Sequence, residues 1–534
     1  MLAFLEPLEE LADYQEIVRK RGKAEGILQI AGCVSSQKTH LMYALGDGFE
    51  YRVIVFSSEE KAKQAYEEYK MLEENTFLYP AKDLLFYHAD IKGAALTGKR
   101  MEVLKKLTEK KNREPVTVIT TADAFLDGLP SKEKLWESRI EIEAGAVIDF
   151  QKLQEELVHL GYERESQIEG PGQFAVRGGI LDVYPLTEEI PVRIELWGDE
   201  IDSIRSFDVE SQRSMENMEQ VVIYPATENV EKKEQAVSFS EYFPKEKSLF
   251  FFDEPVRLQE TLEAVEKEYF HSLESRKNAG MTEEADEIRV FQTKEIIEKF
   301  NTRYGIGLTT LETRCGDFKV RDVYSIQAAG VNPYNNSFEM LTQDLKKLKR
   351  QGYRVILVSG SRTRAKRLAE DLRDYDLSSF YSEDMVRTVR PGEIMVVYGC
   401  VAEGYEYPML KFMVISESDI FGKRKKKRRR KVYEGQKIQE FAELKPGDYV
   451  VHENHGLGVY QGIEKVEVDK VTRDYMKISY ADGGILYILA TQMDLIQKYA
   501  GADAKPPKLN KLGTPQWNKT KSQVKKAVQV IAQD

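Results

Sequence analysis

Apolar residues in the first 125 positions come in short unbroken runs separated by charged, helix-forming stretches. Gly26-Ile27-Leu28-Gln29-Ile30-Ala31, Tyr51-Arg52-Val53-Ile54-Val55-Phe56 and Val116-Thr117-Val118-Ile119-Thr120-Thr121 have the length and β-branched content of buried strands. Residues 38–45 and 58–74 read as helices after the first two. Strands alternating with helices predict a largely parallel sheet with crossover helices. Near residue 140 the texture changes. A helix over 150–160 leads into Gly179-Ile180-Leu181-Asp182-Val183-Tyr184 and Val192-Arg193-Ile194-Glu195-Leu196-Trp197, which alternate apolar and polar residues between Pro and Gly-Asp turn signals. That is the pattern of antiparallel hairpins with one wet face. The first pattern resumes at Leu249-Phe250-Phe251-Phe252-Asp253-Glu254, with a charged helix from 255 to about 270. The reading is a lobe in two parts, 1–138 and 226–325, split by an α+β insert at 139–225.

A small α/β domain is expected over 330–421, from an amphipathic helix at 337–352 and strands at 353–359, 393–398 and 412–416. Residues 422–441 form a polybasic linker. Residues 442–502 hold short strands with Gly-containing turns, predicting a small SH3-like β-barrel. In 503–534, Val524, Ala527, Val528 and Ile531 lie on one helical stripe that stops without a capping signal. The chain is accordingly read as a fragment cut within a helix. The fold class is α/β multidomain.

Composition narrows the chemistry. No apolar run reaches the length of a membrane span, and the acidic N-terminus lacks the basic region of a secretory signal, so a cytoplasmic protein is expected, and it is read as a monomer. The three cysteines (Cys33, Cys315, Cys400) are far apart and no His-Glu-x-x-His pattern occurs, which gives no support to a disulfide framework or a metal site. A net charge of −11 argues against a protein that coats nucleic acid with its whole surface. Positive charge is concentrated instead in nine consecutive cations, Lys423 to Lys431, and in 505–526. Within the first block Lys423, Arg424, Arg428 and Arg429 are candidate contacts to DNA phosphates, as is a purely solvated linker.

One motif carries catalytic chemistry in outline. Gly32-Cys33-Val34-Ser35-Ser36-Gln37-Lys38-Thr39 follows a strand and opens a helix, as a Walker A loop does. Lys38 and Thr39 are in place, but Gln37 stands where the second glycine lets the backbone wrap the phosphates. The loop is therefore read as a degenerate P-loop in a helicase-like, P-loop NTPase-like lobe, and no cofactor or catalytic residue is expected. Asp253-Glu254, after three phenylalanines, is superficially suited to hold a nucleotide's metal, but no clear helicase arginine-finger segment accompanies it.

Three stretches resemble known repair proteins. Gly172-Gln173-Phe174-Ala175-Val176-Arg177-Gly178-Gly179-Ile180-Leu181-Asp182-Val183-Tyr184-Pro185 continues through Pro191-Val192-Arg193-Ile194-Glu195-Leu196-Trp197-Gly198-Asp199-Glu200 to Ser211-Gln212-Arg213-Ser214. It is similar to a signature shared by UvrB and the bacterial transcription-repair coupling factor (Mfd) family. Tyr79-Pro80-Ala81-Lys82-Asp83-Leu84-Leu85 and Thr120-Thr121-Ala122-Asp123-Ala124-Phe125-Leu126 also look like that family. Leu444-Lys445-Pro446-Gly447-Asp448-Tyr449-Val450-Val451-His452 and His455-Gly456-Leu457-Gly458-Val459-Tyr460 resemble the CarD-like polymerase-interaction module. UvrB has no such module, carries an intact Walker A, and has a long aromatic hairpin after its tyrosine-proline segment, for which the stretch between Asp83 and Gly98 is short. The resemblance thus favours the N-terminal half of a coupling factor.

The resemblance implies an adaptor for transcription-coupled nucleotide-excision repair. The insert would recruit UvrA through Arg164 and Arg177, with Arg193 a further candidate, since a rigid guanidinium fork suits partner carboxylates. The barrel would bind the β subunit of RNA polymerase by adding a strand edge, through Ile463, Lys465 and Val466. ATP would be used only by the family's DNA-translocase motor, for which no second Walker A precedes Asp534, so double-stranded DNA would be bound weakly or through that motor. Two rivals remain: a UvrB-like ATP-dependent damage-verification enzyme, and a CarD-like transcription regulator.

Overall fold

The computed structural model describes residues 2–82, 94–109, 114–209, 211–228, 235–278, 289–383, 386–422, 435–437, 445–452, 456–468, 471–481, 484–489, 496–499 and 509. It divides into two compact units, residues 1–274 with 284–424, and residues 275–283 with 425–534. The chain is a mixed α/β multidomain protein with several sheets.

The first unit is organised by a seven-stranded parallel sheet in the order Val320–Ser325, Gly26–Ala31, Tyr304–Thr309, Ser248–Asp253, Tyr51–Phe56, Val116–Thr121, Thr76–Tyr79. Strands from both sides of the insert interleave, with Phe251 registered against Ile54 and against Ile306. The apolar runs read from the sequence are its central strands, buried at every position of Gly26–Ala31, Val116–Thr121 and Ser248–Asp253. Helices cover both faces of a parallel sheet because the crossovers must pack back onto it. Here the helices Ser35–Leu45 and Glu59–Lys70 follow the first two strands in chain order, and the long helix runs Pro255–Asn278.

The insert leaves and rejoins the lobe side by side. Ile140–Glu143 pairs antiparallel with Gln220–Ile223, so entry and exit form one two-stranded ribbon. Beyond it lies a six-stranded sheet in the order Ser214–Met218, Glu200–Phe207, Val192–Trp197, Ile180–Val183, Gln173–Arg177, Glu163–Arg164. The helix Phe150–His159 begins at Asp149, whose carboxylate accepts from the Gln151 and Lys152 amides. It buries Leu153 and Leu157 in a core with Phe174, Leu181, Val183 and Ile194. The Arg177-to-Ile180 turn has Gly178 at φ 62°, a conformation that favours glycine.

The small α/β domain is a second mixed sheet, ordered Ala329–Gly330, Tyr405–Tyr407, Phe412–Ser416, Arg354–Ser359, Ile394–Tyr398, Ser379–Ser382. Its Tyr405, Tyr407, Phe412 and Val414 belong to the same apolar cluster as Leu41, Ile54 and Phe251 of the seven-stranded sheet. The second unit is a six-stranded sheet ordered Gly435–Lys437, Ile496–Tyr499, Tyr449–His452, Gly456–Val468, Val471–Ser479, Ile485–Leu489, around Val450, Tyr460, Met476, Ile478, Tyr480 and Ile496. Among the described residues no helix is long and apolar enough to cross a membrane. The helical stripe expected near the end of the chain lies outside the described residues.

Candidate functional site

Three places bear on function: the phosphate-loop corner, the charged face of the insert sheet, and the long strand of the second unit.

At the corner, Gly32 adopts φ 87° and the chain turns from the buried strand Gly26–Ala31 into the helix Ser35–Leu45. A nest that cradles phosphate needs free backbone N–H groups at this turn. Here the Cys33 N–H donates to the Thr309 carbonyl at 3.1 Å, and the Val34 N–H donates to Gln37 Oε1 at 3.1 Å. Gln37 is fully buried, so its side chain closes the first turn from inside. Lys38, which in a P-loop would reach phosphate, donates to Asp253 Oδ1 and to Glu254 Oε1, each at 2.6 Å. Burial alone would lower its pKa, and the two carboxylates more than reverse this, holding the ammonium charged. Asp253 also takes Lys61 at 3.0 Å, and Glu254 accepts from the Thr310 amide and hydroxyl at 2.9 and 2.8 Å. Thr39 is buried. The lysine and the Cys33 and Val34 amides of the motif are thus engaged within the chain, while Gln37 Nε2 is buried without a hydrogen-bond partner.

On the insert sheet, Ala175, Asp182, Arg193 and Arg205 stand in cross-strand register and share one pleat. Asp182 is buried between Leu181 and Val183, and it gathers two of the three candidate arginines. Arg177 donates to its Oδ2. Arg193 grips it with Nε to Oδ1 at 2.7 Å and Nη2 to Oδ2 at 3.0 Å. The Asp182 bonds raise the Arg193 pKa, and its guanidinium lies 4.6 Å over the Phe207 ring. The Arg193 side chain is only 13% exposed, so its fork is filled within the sheet, whereas that of Arg177 is 46% exposed. Arg164 is exposed on the edge strand, registered with Phe174 and hence on the opposite pleat. The structure thus brings Arg177 and Arg193 together and leaves Arg164 apart. Sequence reasoning missed Asp182 as their anchor. The available signal was a carboxylate inside an apolar strand, which a fold tolerates only with a partner. It also missed Trp197, 84% exposed at the tip of the Gly198-Asp199 hairpin.

In the second unit, the long strand Gly456–Val468 pairs with Tyr449–His452 only from Gly456 to Val459, and with Val471–Ser479 from Val459 to Val468. A register shift separates Tyr460 from Gly462, whose φ is 119°. From Gly462 to Val468 one backbone edge therefore has no strand partner among the described residues. Ile463, Lys465 and Val466 stand on that segment, registered against Met476, Asp474 and Arg473. Lys423, Arg424, Arg428 and Arg429 lie outside the described residues.

The UvrB interaction domain family matches residues 140–229 and the CarD-like/TRCF RID domain family matches residues 444–500. The chain thus carries two interaction modules, one on the insert and one on the second unit. It is, further, a relative of the transcription-repair-coupling factors. It is 28% identical to that of Bacillus subtilis (strain 168) over 99% of this chain and 50% of the relative. It is 29% identical to that of Staphylococcus aureus (strain MRSA252) over 86% of this chain and 44% of the relative. The chain spans about half the length of the curated relatives it matches.

Proposed function

We propose that this chain is an adaptor of transcription-coupled nucleotide-excision repair in the bacterial cytoplasm, acting as a monomer. The insert recruits UvrA through Arg177, supported by Arg193 and Asp182, with Arg164 contributing from the sheet edge. The second unit, read as an SH3-like CarD barrel, takes a strand of the RNA polymerase β subunit onto the open edge at Gly462–Val468. The observation that carries this reading is the presence of both interaction modules on one chain. A strand edge offers rows of main-chain donors and acceptors, so such docking draws affinity from backbone bonds and specificity from alternate side chains.

Retention of purified UvrA and of the β subunit by the immobilised chain tests both surfaces. Arg177→Glu places a carboxylate beside buried Asp182 and is expected to weaken UvrA retention at least about tenfold, as loss of a charged hot spot does, while β-subunit retention stays unchanged. Val466→Arg is expected to do the reverse. If each variant keeps its own partner, the site assignments are wrong.

The first lobe is read as helicase-like but without nucleotide chemistry, and any ATP-driven translocation is ascribed to a motor of the intact family. The competing reading, a UvrB-like ATPase, asks Lys38 to leave Asp253 and Glu254 for a phosphate. Restoring the glycine does not remove that obstacle. Gln37→Gly is expected to bind ATP no better than the wild type in isothermal titration, while losing about 1 kcal/mol of stability with the helix cap. Tight ATP binding that disappears in Lys38→Ala would restore the enzyme reading.

A further inference from the structure

The side of the corner that faces the small α/β domain supports a different role for the motif. Two serines open the helix Ser35–Leu45, and both bond to elements that follow them far along the chain. The Ser36 hydroxyl donates to Glu68 Oε1 at 2.6 Å, and the same oxygen accepts the Ala402 N–H at 2.9 Å. The Glu403 N–H donates to Ser36 Oγ at 3.2 Å, and the Ser35 hydroxyl donates to the Glu403 carboxylate. Glu68 is 3% exposed, so the loop containing Ala402 reaches into a buried polar pocket and supplies one of the bonds that Glu68 requires.

The geometry gives the Glu403 carboxylate a particular place. A helix N-terminus favours negative charge through its unsatisfied amides and its dipole, which is why phosphates bind there in P-loop enzymes. Here the anion beside the first turn belongs to the chain itself. The loop that carries it is shaped for the task. Gly404 donates to Asp419 Oδ2 at 2.8 Å, and a Cβ at position 404 would stand 2.4 Å from that oxygen and 2.7 Å from the Val414 carbonyl. Just beyond, His40 on the same helix bonds the Tyr407 hydroxyl at 2.9 Å and stacks on Tyr405 with ring centroids 5.5 Å apart.

We infer that the remnant phosphate loop is a docking site whose ligand is the acidic segment 401–407 of the same chain. The corner that closes round a nucleotide in a P-loop enzyme here fixes the small α/β domain to the seven-stranded sheet. The domain's placement is therefore independent of nucleotide, and the motif persists as a clamp rather than as an empty pocket.

Hydrogen exchange on the full chain tests this. In the double variant Ser36→Ala, Glu403→Lys, the amides of 35–39 and 402–407 are expected to exchange about tenfold faster, as a locally opened unit does, with the insert strands 173–207 as in wild type. Gly404→Ala, which displaces the loop without touching the helix, should give the same local pattern. In the wild type, millimolar inorganic pyrophosphate is expected to leave both segments unchanged. Unaltered exchange in both variants would overturn the clamp, and so would a rise of equal size throughout the chain. Acceleration of 402–407 by pyrophosphate would show that the corner still takes phosphate and releases the domain.

Discussion

Arg100→Met is expected to cost about 3–5 kcal/mol of folding stability, the range seen when one member of a buried ion pair is removed. Arg100 is wholly buried on the helix Ala94–Thr108. It holds Glu228 through Nε at 2.9 Å, Asp127 through Nη2 at 2.5 Å, and the Pro80 carbonyl through Nη1 at 2.9 Å, while Tyr79 stacks beneath it at 4.4 Å. Burial pushes the Glu228 carboxyl up, and Arg100 and Lys82 beside it more than offset this, so it remains ionised. Asp127, buried with Oδ1 unbonded, is pushed up instead. Removing the guanidinium leaves two buried acids with Lys82 alone to neutralise them. The loss should appear in the urea midpoint followed by circular dichroism, and Arg100→Lys should recover only part of it, because a single ammonium cannot span three acceptors. A shift below about 1 kcal/mol would mean that the acids find other partners or take up protons at little cost. Glu228 lies where the chain returns from the insert, so this cluster also anchors the exit of the docking module.

The second large effect concerns pH. His40 is fully buried, and its ring nitrogens are both bonded: Nε2 donates to the Phe4 carbonyl and Nδ1 accepts from the Tyr407 hydroxyl, each at 2.9 Å. The groups packed on the ring are Phe4, Tyr405, Tyr407 and Phe412, and none of them is acidic. Burial accordingly lowers the His40 pKa from 6.5 to about 4. Between these values the unfolded chain takes up a proton that the folded chain refuses. The neutral histidine's contribution is therefore whole above pH 6.5 and falls away towards pH 4, by about 3 kcal/mol. Glu68 nearby, raised by burial, acts with the opposite sign, so the comparison must be made against His40→Gln rather than against pH 7 alone. Denaturation of both proteins at pH 7 and pH 4.5 checks it. Equal losses in the two would remove His40 as the cause.

The parts of this architecture that were legible in the sequence were those where one local signal dominates. Unbroken apolar runs gave Gly26–Ala31, Tyr51–Phe56 and Ser248–Asp253, because a strand covered on both faces has no polar side to reveal. Tyr304–Thr309 was not read as a strand, since glycine weakens strand propensity. The sheet nonetheless requires those glycines. A Cβ at Gly305 would meet Ile27 at 2.8 Å and the Phe252 ring at 3.0 Å, and one at Gly307 would meet Pro255 at 3.1 Å. Val320–Ser325 escaped notice for the opposite reason, as a charged edge strand resembles a loop. At the corner, spacing alone picked out Gln37, whose side chain is buried and accepts the Val34 N–H. The fate of Lys38 did not follow, because its counter-ions come from residues 253 and 254. Asp253 and Glu254, the acidic strand end that the sequence offers for a metal, pair with the lysine in the fold. The same distance hid Glu403 from any reading of the motif.

The interleaving of the seven-stranded sheet bears on how the molecule assembles. Tyr51–Phe56 lies against Ser248–Asp253, and Gly26–Ala31 is flanked by Tyr304–Thr309 and Val320–Ser325, so the scaffold awaits nearly 300 further residues after its first strand has left the ribosome. The insert needs only residues 140–223, pairs its own two ends, and has its own core. Domains generally fold as units during synthesis, and long-range strand pairing is slow. The nascent chain can thus complete the insert before the lobe that carries it is closed.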